Sequence, residues 1–324
     1  MRRRDFISAT LLLNPSGRAQ TRGPDIVLIL AEQWRPLVLT PNLKRLAAES
    51  THFTRCYAAN PAQSPARIAL LSGAYPHTRS AEPEKPPFRV VEIPFPQSAA
   101  PADQGDVALA INVPFAYEGT ARRNQADYLG ACRAMDLELG RILESVSRDA
   151  VVVFTSDRGA MLGAHGLEGD GLPFEESARV PLLIRYPGRF RRGAVDDLLM
   201  STVDIMPSLF ALAGREIPAE MQGRDLSASM ISGEGDRPES VYSYGRIGTP
   251  DEWRMIVRGL DKLVVNTKFE ATHLYNLGQD SLEMRNLATE IGWARSRDEL
   301  KAHLRAWIKR AGDGVDPSSG LKLR

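Results

Sequence analysis

Polar side chains that could bind a ligand follow two apolar runs of this sequence. Glu32 and Gln33 come directly after the run DIVLILA, and Asp157 and Arg158 come just after the run VVVFT. In an open α/β sheet, ligands bind beyond the carboxyl ends of the strands. The four side chains are therefore candidates for a ligand site at one sheet edge. The alternatives are that Glu32 and Gln33 form a solvated strand end and that Asp157 caps a helix or a turn.

The elements that must position these residues alternate between strands and helices. Near-continuous apolar runs are typical of parallel strands that are covered on both faces, and Thr40-Pro41 is a helix-start signal. Strands are predicted at 25–31, 107–113, 151–155 and 180–186, and helices from 41, at 65–71, 121–147 and 204–213. The alternation predicts an α/β fold with a doubly wound, mostly parallel sheet flanked by helices. The proline-rich stretch 80–105 is predicted to be a loop.

The pattern changes after residue 237. Short runs at 253–258, 262–266 and 272–276 are separated by turn signals, which predicts a small antiparallel sheet, and 299–311 is predicted to be an amphipathic helix. The sequence thus divides into a tail or export signal at 1–23, an α/β domain at 24–237 and a C-terminal subdomain at 238–324.

Composition narrows the classes of partner. The chain has 324 residues and a formal net charge of +1, so bulk electrostatics give no reason to expect nucleic-acid binding. No apolar run is long enough to span a bilayer as an integral segment. The two cysteines, Cys56 and Cys132, are either buried free thiols or a pair formed in an oxidising compartment.

The N-terminal residues have features of an export signal. Arg2–Ile7 (RRRDFI) looks like a twin-arginine export signal, and Ala9–Leu13 is a short apolar core that Asn14 and Pro15 interrupt. Export predicts a periplasmic or extracellular protein. The alternative is a basic tail without signal function on a cytoplasmic protein.

The segment Gln63–Gly73 (QSPARIALLSG) resembles the signature of the sulfatase family, which reads Cys-x-Pro-Ser-Arg followed by a small-apolar helix and Thr-Gly. Other pieces of the family pattern follow in the family's order. They are found at 25–35, 40–43, 133–136, 155–159, 175–182, 203–208 and 274–277. On these pieces the chain is identified as a member of the sulfatase family, which implies an alkaline-phosphatase-like fold.

The resemblance implies a chemistry and the residues that would perform it. Family members hydrolyse sulfuric esters of small molecules or glycans with the help of a divalent cation, calcium or magnesium, held by oxygen ligands. Glu32, Gln33 and Asp157 match positions of the metal ligands. Arg67 matches the arginine that steadies the aldehyde hydrate, although an ion pair with a nearby carboxylate is the alternative for it.

Several positions depart from the family pattern. The nucleophile position is Gln63, whose carboxamide cannot become an aldehyde hydrate, and the hydroxyl of Ser64 lies one residue out of register. Arg158 stands where the family has an asparagine or histidine ligand, and a guanidinium has no lone pair to donate to a metal. Ala74 replaces an arginine or lysine, Phe115 a histidine and Asp170 a lysine. The Gly-Lys-Trp-His motif has no counterpart, and His165 is expected to be structural.

These departures leave three hypotheses for the function. The chain is a sulfuric ester hydrolase with a rebuilt site, or a non-catalytic homologue that binds a sulfated or anionic ligand or a protein, or a decaying gene product. The chemistry favours weak or absent hydrolysis. We further hypothesise that the guanidinium of Arg158 sits where the cation once sat, paired with Glu32 and Asp157, so that no cofactor is needed.

Overall fold

The computed structural model describes residues 23–36, 38–78, 86–96, 118–316 and 322–323. The predicted export signal, the predicted strand at 107–113 and Phe115 lie outside these ranges. Within them, no helix combines the length and the apolar character needed to cross a bilayer.

Within the described residues, six strands form the larger sheet in the order β3-β1-β4-β5-β2-β6. They are β1 (Ile26–Ala31), β2 (Thr51–Tyr57), β3 (Arg89–Ile93), β4 (Val151–Ser156), β5 (Arg179–Arg185) and β6 (Ala194–Ser201). Strand β1 pairs in parallel with β3 and β4, and β2 pairs in parallel with β6. Strand β5 is antiparallel to both β4 and β2. The prediction of a mostly parallel sheet is therefore confirmed, with one reversed strand.

Helices cover both faces of this sheet. The α-helices of the described residues are α1 (Pro41–Glu49), α2 (Gln63–Ser72), α3 (Glu118–Ser145), α4 (Glu175–Ala178), α5 (Thr202–Leu212), α6 (Ser227–Ser232) and α7 (Ala294–Arg310), and α7 packs in the C-terminal part instead of on this sheet. Alternate residues of β1 point to opposite faces, so Leu28 packs in a core with α5, whereas Ile29 packs in a core with α1 and α3. Both faces of β1 and β4 are buried, which is why their sequences are almost wholly apolar.

The C-terminal part contains the predicted antiparallel sheet. Its strands, in the order β10-β9-β8-β7, are β7 (Ser240–Gly245), β8 (Trp253–Arg258), β9 (Asp261–Val265) and β10 (Ala271–Asn276), and β11 (Val315–Asp316) pairs with β12 (Lys322–Leu323). Leu300, Leu304 and Ile308 of α7 pack in one core with this sheet. The domain boundary at residue 237 stays a prediction, and the core of the second sheet also includes Ala69 of α2.

Three sequence predictions need correction or completion. The loop predicted across 80–105 is wrong in its described part, because 89–93 forms the edge strand β3, whose β-branched residues favour extended backbone. The sequence does not predict strands β2, β6 and β7, because polar residues interrupt the apolar run in each of them. Pro207 lies inside α5, which begins earlier than predicted, at Thr202.

The two cysteines are buried free thiols, as one of the two sequence alternatives predicts. Burial raises the pKa of the Cys132 thiol to about 12, and burial also raises the pKa of Cys56 above its ordinary value. Thiols with such raised pKa values carry little thiolate and react slowly.

Asp136 of α3 holds the start of α1. Its carboxylate accepts hydrogen bonds from the backbone N–H of Asn42 and of Leu43, both at 3.0 Å, and from the Thr40 hydroxyl at 2.5 Å. Pro41 has no N–H, so these are the first donors that the helix must satisfy. The helix that follows β1 is thereby fixed to the long helix that follows β3.

Substitution of Asp136 by alanine should destabilise the protein. Buried donors at the start of α1 would lose their acceptor, so we expect the free energy of unfolding to fall by about 2–4 kcal/mol. Urea unfolding measures this change. The control is Asp149→Ala, which truncates an exposed aspartate before β4 and should leave the free energy of unfolding within about 0.5 kcal/mol. Equal effects of the two substitutions would contradict this account.

Candidate functional site

The candidate site lies where β1 and β4 end. Ala31 and Ser156, the last residues of these parallel strands, are register partners. Glu32 and Asp157 follow them immediately, so the strand pairing brings the two carboxylates to the same edge of the sheet. This is the convergence that the sequence predicts for Glu32 and Asp157.

The backbone at Gln33 is held in an uncommon conformation. Its φ of 55° lies in the left-handed region, which a glutamine seldom adopts. The Gln33 N–H donates to Asp157 Oδ1 at 3.1 Å, and its carbonyl accepts from the Tyr128 hydroxyl at 2.8 Å. The next residue, Trp34, donates its N–H to Ser156 Oγ at 2.9 Å. These bonds lock the turn after β1 onto the end of β4.

The guanidinium of Arg158 lies between three carboxylates. Nη1 donates to Asp157 Oδ2 at 2.5 Å, Nη2 donates to Glu32 Oε1 at 3.2 Å, and Nε donates to Asp170 Oδ2. The Arg158 side chain is only 2% exposed. A planar donor fork suits several carboxylate oxygens at once.

The charges of this group perturb one another. Burial alone would lower the pKa of Arg158, but the adjacent carboxylates of Asp157 and Asp170 outweigh it, and the pKa is raised above its ordinary value. Burial raises the pKa of Asp157 to about 6, although Arg158 opposes the shift. Arg158 is therefore a permanent cation, and Asp157 is mostly ionised at neutral pH.

Gln63 begins α2 and faces this group. Its Nε2 donates to Glu32 Oε1 at 3.0 Å, the same oxygen that accepts from Arg158. The other Glu32 oxygen, Oε2, accepts from the Phe95 N–H at 3.0 Å. Gln63 and Ser64 are both exposed at the start of the helix. The residue at the family's nucleophile position is thus a hydrogen-bond donor to a carboxylate.

Arg67, one turn further along α2, pairs with Glu92 of β3. Two guanidinium nitrogens meet the two carboxylate oxygens at 2.5 and 2.6 Å. This is the ion pair that the sequence leaves open as the alternative for Arg67. Glu92 was missed because its strand lies in the stretch predicted to be a loop.

The oxygen atoms around the site do not fit a divalent cation while the Arg158 guanidinium is bonded to them. Calcium takes six to eight oxygen ligands at short distance. The oxygens of Glu32 and Asp157 are already bonded to the guanidinium, to Gln63 and to backbone N–H groups. Gln33, the remaining predicted ligand, contributes a backbone N–H here and also lines a neighbouring cavity. The assignment of these residues as metal ligands stays a prediction.

Asp170 is the functional candidate that sequence reasoning undervalued. It matches a lysine of the family pattern, and Arg158 matches an uncharged ligand. The two departures have opposite charge, and the structure shows that they are partners. Two departures of opposite charge close together in the sequence are a signal that links these positions, but the folded loop is needed to show their contact.

A cavity of about 510 Å³ opens beside Gln33. The polar lining consists of amides and carboxylates, and the described lining residues include no lysine or arginine. The polar and aromatic members are Gln33, Phe95, Asn124, Asp127, Tyr128 and Glu168. Asn124 Nδ2 donates to Glu168 Oε1 at 3.0 Å. Such a lining suits hydroxyl or amino groups better than an anionic sulfate group.

A second group of ionisable residues surrounds His165. Its ring stacks on Phe174 with centroids 4.1 Å apart, and its Nε2 lies 3.6 Å from Glu176 Oε2. His165, Glu176 and Glu283 offer ligand atoms that lie within 4.8 Å of one another and could hold a metal. However, the buried ammonium of Lys262 already lies 2.7 Å from Glu283 Oε1. The arrangement fits the structural role expected for His165.

His273 lies beside this group, with its ring centroid 5.3 Å from that of Phe174. Burial lowers the pKa of His273 to about 4, and the charges of Lys262 and His165 act in the same direction. The unfolded-state pKa is about 6.5, so the unfolded state binds the proton first as the pH falls. The stability that this group contributes is thus complete above pH 6.5 and is lost progressively as the pH falls from 6.5 to about 4, below which the loss levels off.

Replacing His273 by glutamine should remove this acid sensitivity. Between pH 7 and pH 4, we expect the wild type to lose roughly 2–3 kcal/mol of unfolding free energy relative to His273→Gln. Urea unfolding at several pH values tests this. The exposed His303 of α7 provides the control, since His303→Gln should follow the wild type at every pH. Parallel curves for His273→Gln and the wild type would count against the assignment.

Residues 163–310 match a family model described as N-sulphoglucosamine sulphohydrolase, C-terminal. The match includes Asp170 and the second sheet. Glu32, Gln63 and Asp157 precede it.

Known proteins similar to this chain extend the likeness to the first sheet. An N-acetylglucosamine-6-O-sulfatase of Bacteroides thetaiotaomicron is 27% identical over 237 residues, which cover 69% of this chain and 41% of that protein. An ulvan-active sulfatase of Formosa agariphila is 24% identical in an alignment that covers 90% of this chain and 82% of that protein. The chain thus spans less than half of the first relative and most of the second.

A solved structure shares the fold across nearly the whole chain. It is a protein in complex with its substrate D-glucosamine-2-N,6-O-disulfate, and it superposes with a TM-score of 0.73 at 17% identity. The superposition covers 91% of this chain and 99% of that one.

Proposed function

Because this chain belongs to the sulfatase family of the alkaline-phosphatase-like superfamily, we propose that it is a non-hydrolytic sulfatase homologue that binds a glycan ligand. The reaction class of the family is sulfuric ester hydrolysis. The observation that carries the proposal is the carboxamide of Gln63, which occupies the nucleophile position of the family pattern and donates to Glu32.

Gln63 cannot perform the covalent step of the family. An amide nitrogen shares its lone pair with the carbonyl group, so Gln63 is no nucleophile, and it has no ionisable proton to lose. In another hydrolase, loss of the nucleophile costs on the order of 10⁶-fold in rate. Family membership suggests a divalent cation, but Arg158 occupies the carboxylates that would hold it and cannot ligate a metal itself.

The cavity beside Gln33 supports a sugar ligand. Amides and carboxylates donate to and accept from hydroxyl groups, and the carboxylates of Asp127 and Glu168 would repel a sulfate group placed against them. The relatives support the carbohydrate class, since one is named for N-acetylglucosamine and the solved neighbour binds a disulfated glucosamine. We therefore place the sugar ring of a sulfated glycan in this cavity, with its sulfate group directed away from the carboxylates.

An assay with 4-nitrophenyl sulfate tests the absence of hydrolysis. The purified full chain, with and without calcium, should release nitrophenol no faster than the Arg67→Ala variant does. Turnover that is lost in Arg67→Ala would overturn the proposal.

Ser64 is the one alternative that a specific observation favours, because its hydroxyl is exposed next to Gln63. Turnover that survives in Arg67→Ala but disappears in Ser64→Ala would establish a rebuilt hydrolase in place of a binding protein.

Calorimetric titration with N-acetylglucosamine 6-sulfate and with N-acetylglucosamine tests the ligand class. We expect both to bind, and Glu168→Ala to weaken binding at least tenfold, since it removes a hydroxyl acceptor. Glu138→Ala, an exposed glutamate of α3 outside the cavity, is the matched control. Binding that requires the sulfate group, or that is unchanged in Glu168→Ala, would contradict the placement of the sugar.

We also propose that the protein is exported through its twin-arginine segment, Arg2–Ile7, which lies outside the described residues. Fractionation of expressing cells would locate the protein. Its presence in the cytoplasm alone would show that the segment is not a working signal.

A further inference from the structure

We propose that the guanidinium of Arg158 is the resident cation of this site, so that the site is complete without a divalent metal. The inference goes beyond the missing nucleophile and does not depend on it. It concerns which positive charge holds the carboxylates of Glu32, Asp157 and Asp170 together.

The first argument is that every guanidinium nitrogen has a carboxylate partner. Nη1 bonds Asp157, Nη2 bonds Glu32 and Nε bonds Asp170. The three acidic residues come from different places, since Glu32 follows β1, Asp157 follows β4 and Asp170 lies 12 residues beyond Arg158. A surface arginine with one chance ion pair would not show this saturation.

The second argument is that the carboxylates keep little coordinating capacity for another cation. Glu32 Oε1 accepts from Arg158 and Gln63, and Glu32 Oε2 accepts from the Phe95 N–H. Asp157 Oδ1 accepts from the Gln33 N–H, while Oδ2 accepts from Arg158. A metal bound by these oxygens would have to displace the Arg158 guanidinium and share the oxygens with Gln63 and with backbone N–H donors.

The third argument is electrostatic. An arginine that is 2% exposed cannot swing into solvent to admit a metal without a large rearrangement. A divalent cation ligated by the same oxygens would lie within a few ångströms of the guanidinium, where like charges in a poorly solvated site repel strongly. The two cations are therefore mutually exclusive occupants.

The fourth argument concerns what remains without Arg158. Glu32, Asp157 and Asp170 would then face one another with no positive charge among their described contacts, and like-charged carboxylates repel unless protonated or bound to a cation. Removing the guanidinium should therefore both destabilise this edge of the sheet and create affinity for a hard cation, which prefers carboxylate oxygens.

Calcium titration of the wild type and of Arg158→Asn tests the inference. Asparagine offers an oxygen ligand and leaves space for a cation. For the wild type at millimolar calcium chloride, we expect no calorimetric binding signal and no change of melting temperature. Arg158→Asn should melt at a lower temperature and recover part of the loss with calcium, with at least a tenfold gain in affinity.

Two further variants keep the test decisive. Arg158→Lys retains a positive charge, so it should fold and stay insensitive to calcium even if Arg158→Asn does not fold. Arg148→Asn, at an exposed arginine before β4, should behave as the wild type. Stoichiometric micromolar calcium binding by the wild type that Asp157→Asn abolishes would overturn the inference. So would an Arg158→Asn variant as stable as the wild type without calcium. Neither result depends on whether sulfate esters are hydrolysed.

Discussion

The accumulation of negative charge at the ends of two adjacent parallel strands is the constraint on which this site depends. Because Ala31 and Ser156 are register partners, the residues that follow them, Glu32 and Asp157, lie side by side at the sheet edge. A cation must lie between them, or one must stay protonated. Arg158 supplies that cation from within the chain and recruits Asp170 as a third partner. One guanidinium facing three carboxylates leaves an excess of negative charge. Burial is the main cause of the raised pKa of Asp157, and the charge of Glu32 adds to it.

The sequence predicts this edge of the sheet well and its surroundings poorly. Strands β1 and β4 are buried on both faces, so their apolar runs mark them clearly, and the residues after them must converge. Strand β3 is half-exposed at the sheet edge and lies in a proline-rich stretch, so its pattern is weak. The prediction therefore found Glu32, Asp157 and Arg158 but missed Glu92, the partner of Arg67.

The contact between Arg158 and Asp170 was beyond sequence reasoning for a different reason. The chain between them makes tight turns, with left-handed backbone at Leu162, Gly163 and His165. No periodic pattern encodes the direction in which such a turn returns. A charge departure at each of two positions was visible in the sequence, but only the folded loop shows that the two charges meet.

Gln63 and Arg158 are coupled through a single atom, Glu32 Oε1, which accepts from both. A hydroxyl nucleophile at position 63 would need a neighbouring metal to stabilise its alkoxide, because a direct metal–oxygen bond lowers the pKa of the bound oxygen. A guanidinium offers only hydrogen bonds, and here each of its nitrogens already donates to a carboxylate. Restoring a nucleophile at position 63 alone would therefore place an unactivated hydroxyl against Glu32. A neutral amide donor, by contrast, donates to that carboxylate without any metal. The Gln63 carboxamide is therefore compatible with a site whose cation is the Arg158 guanidinium.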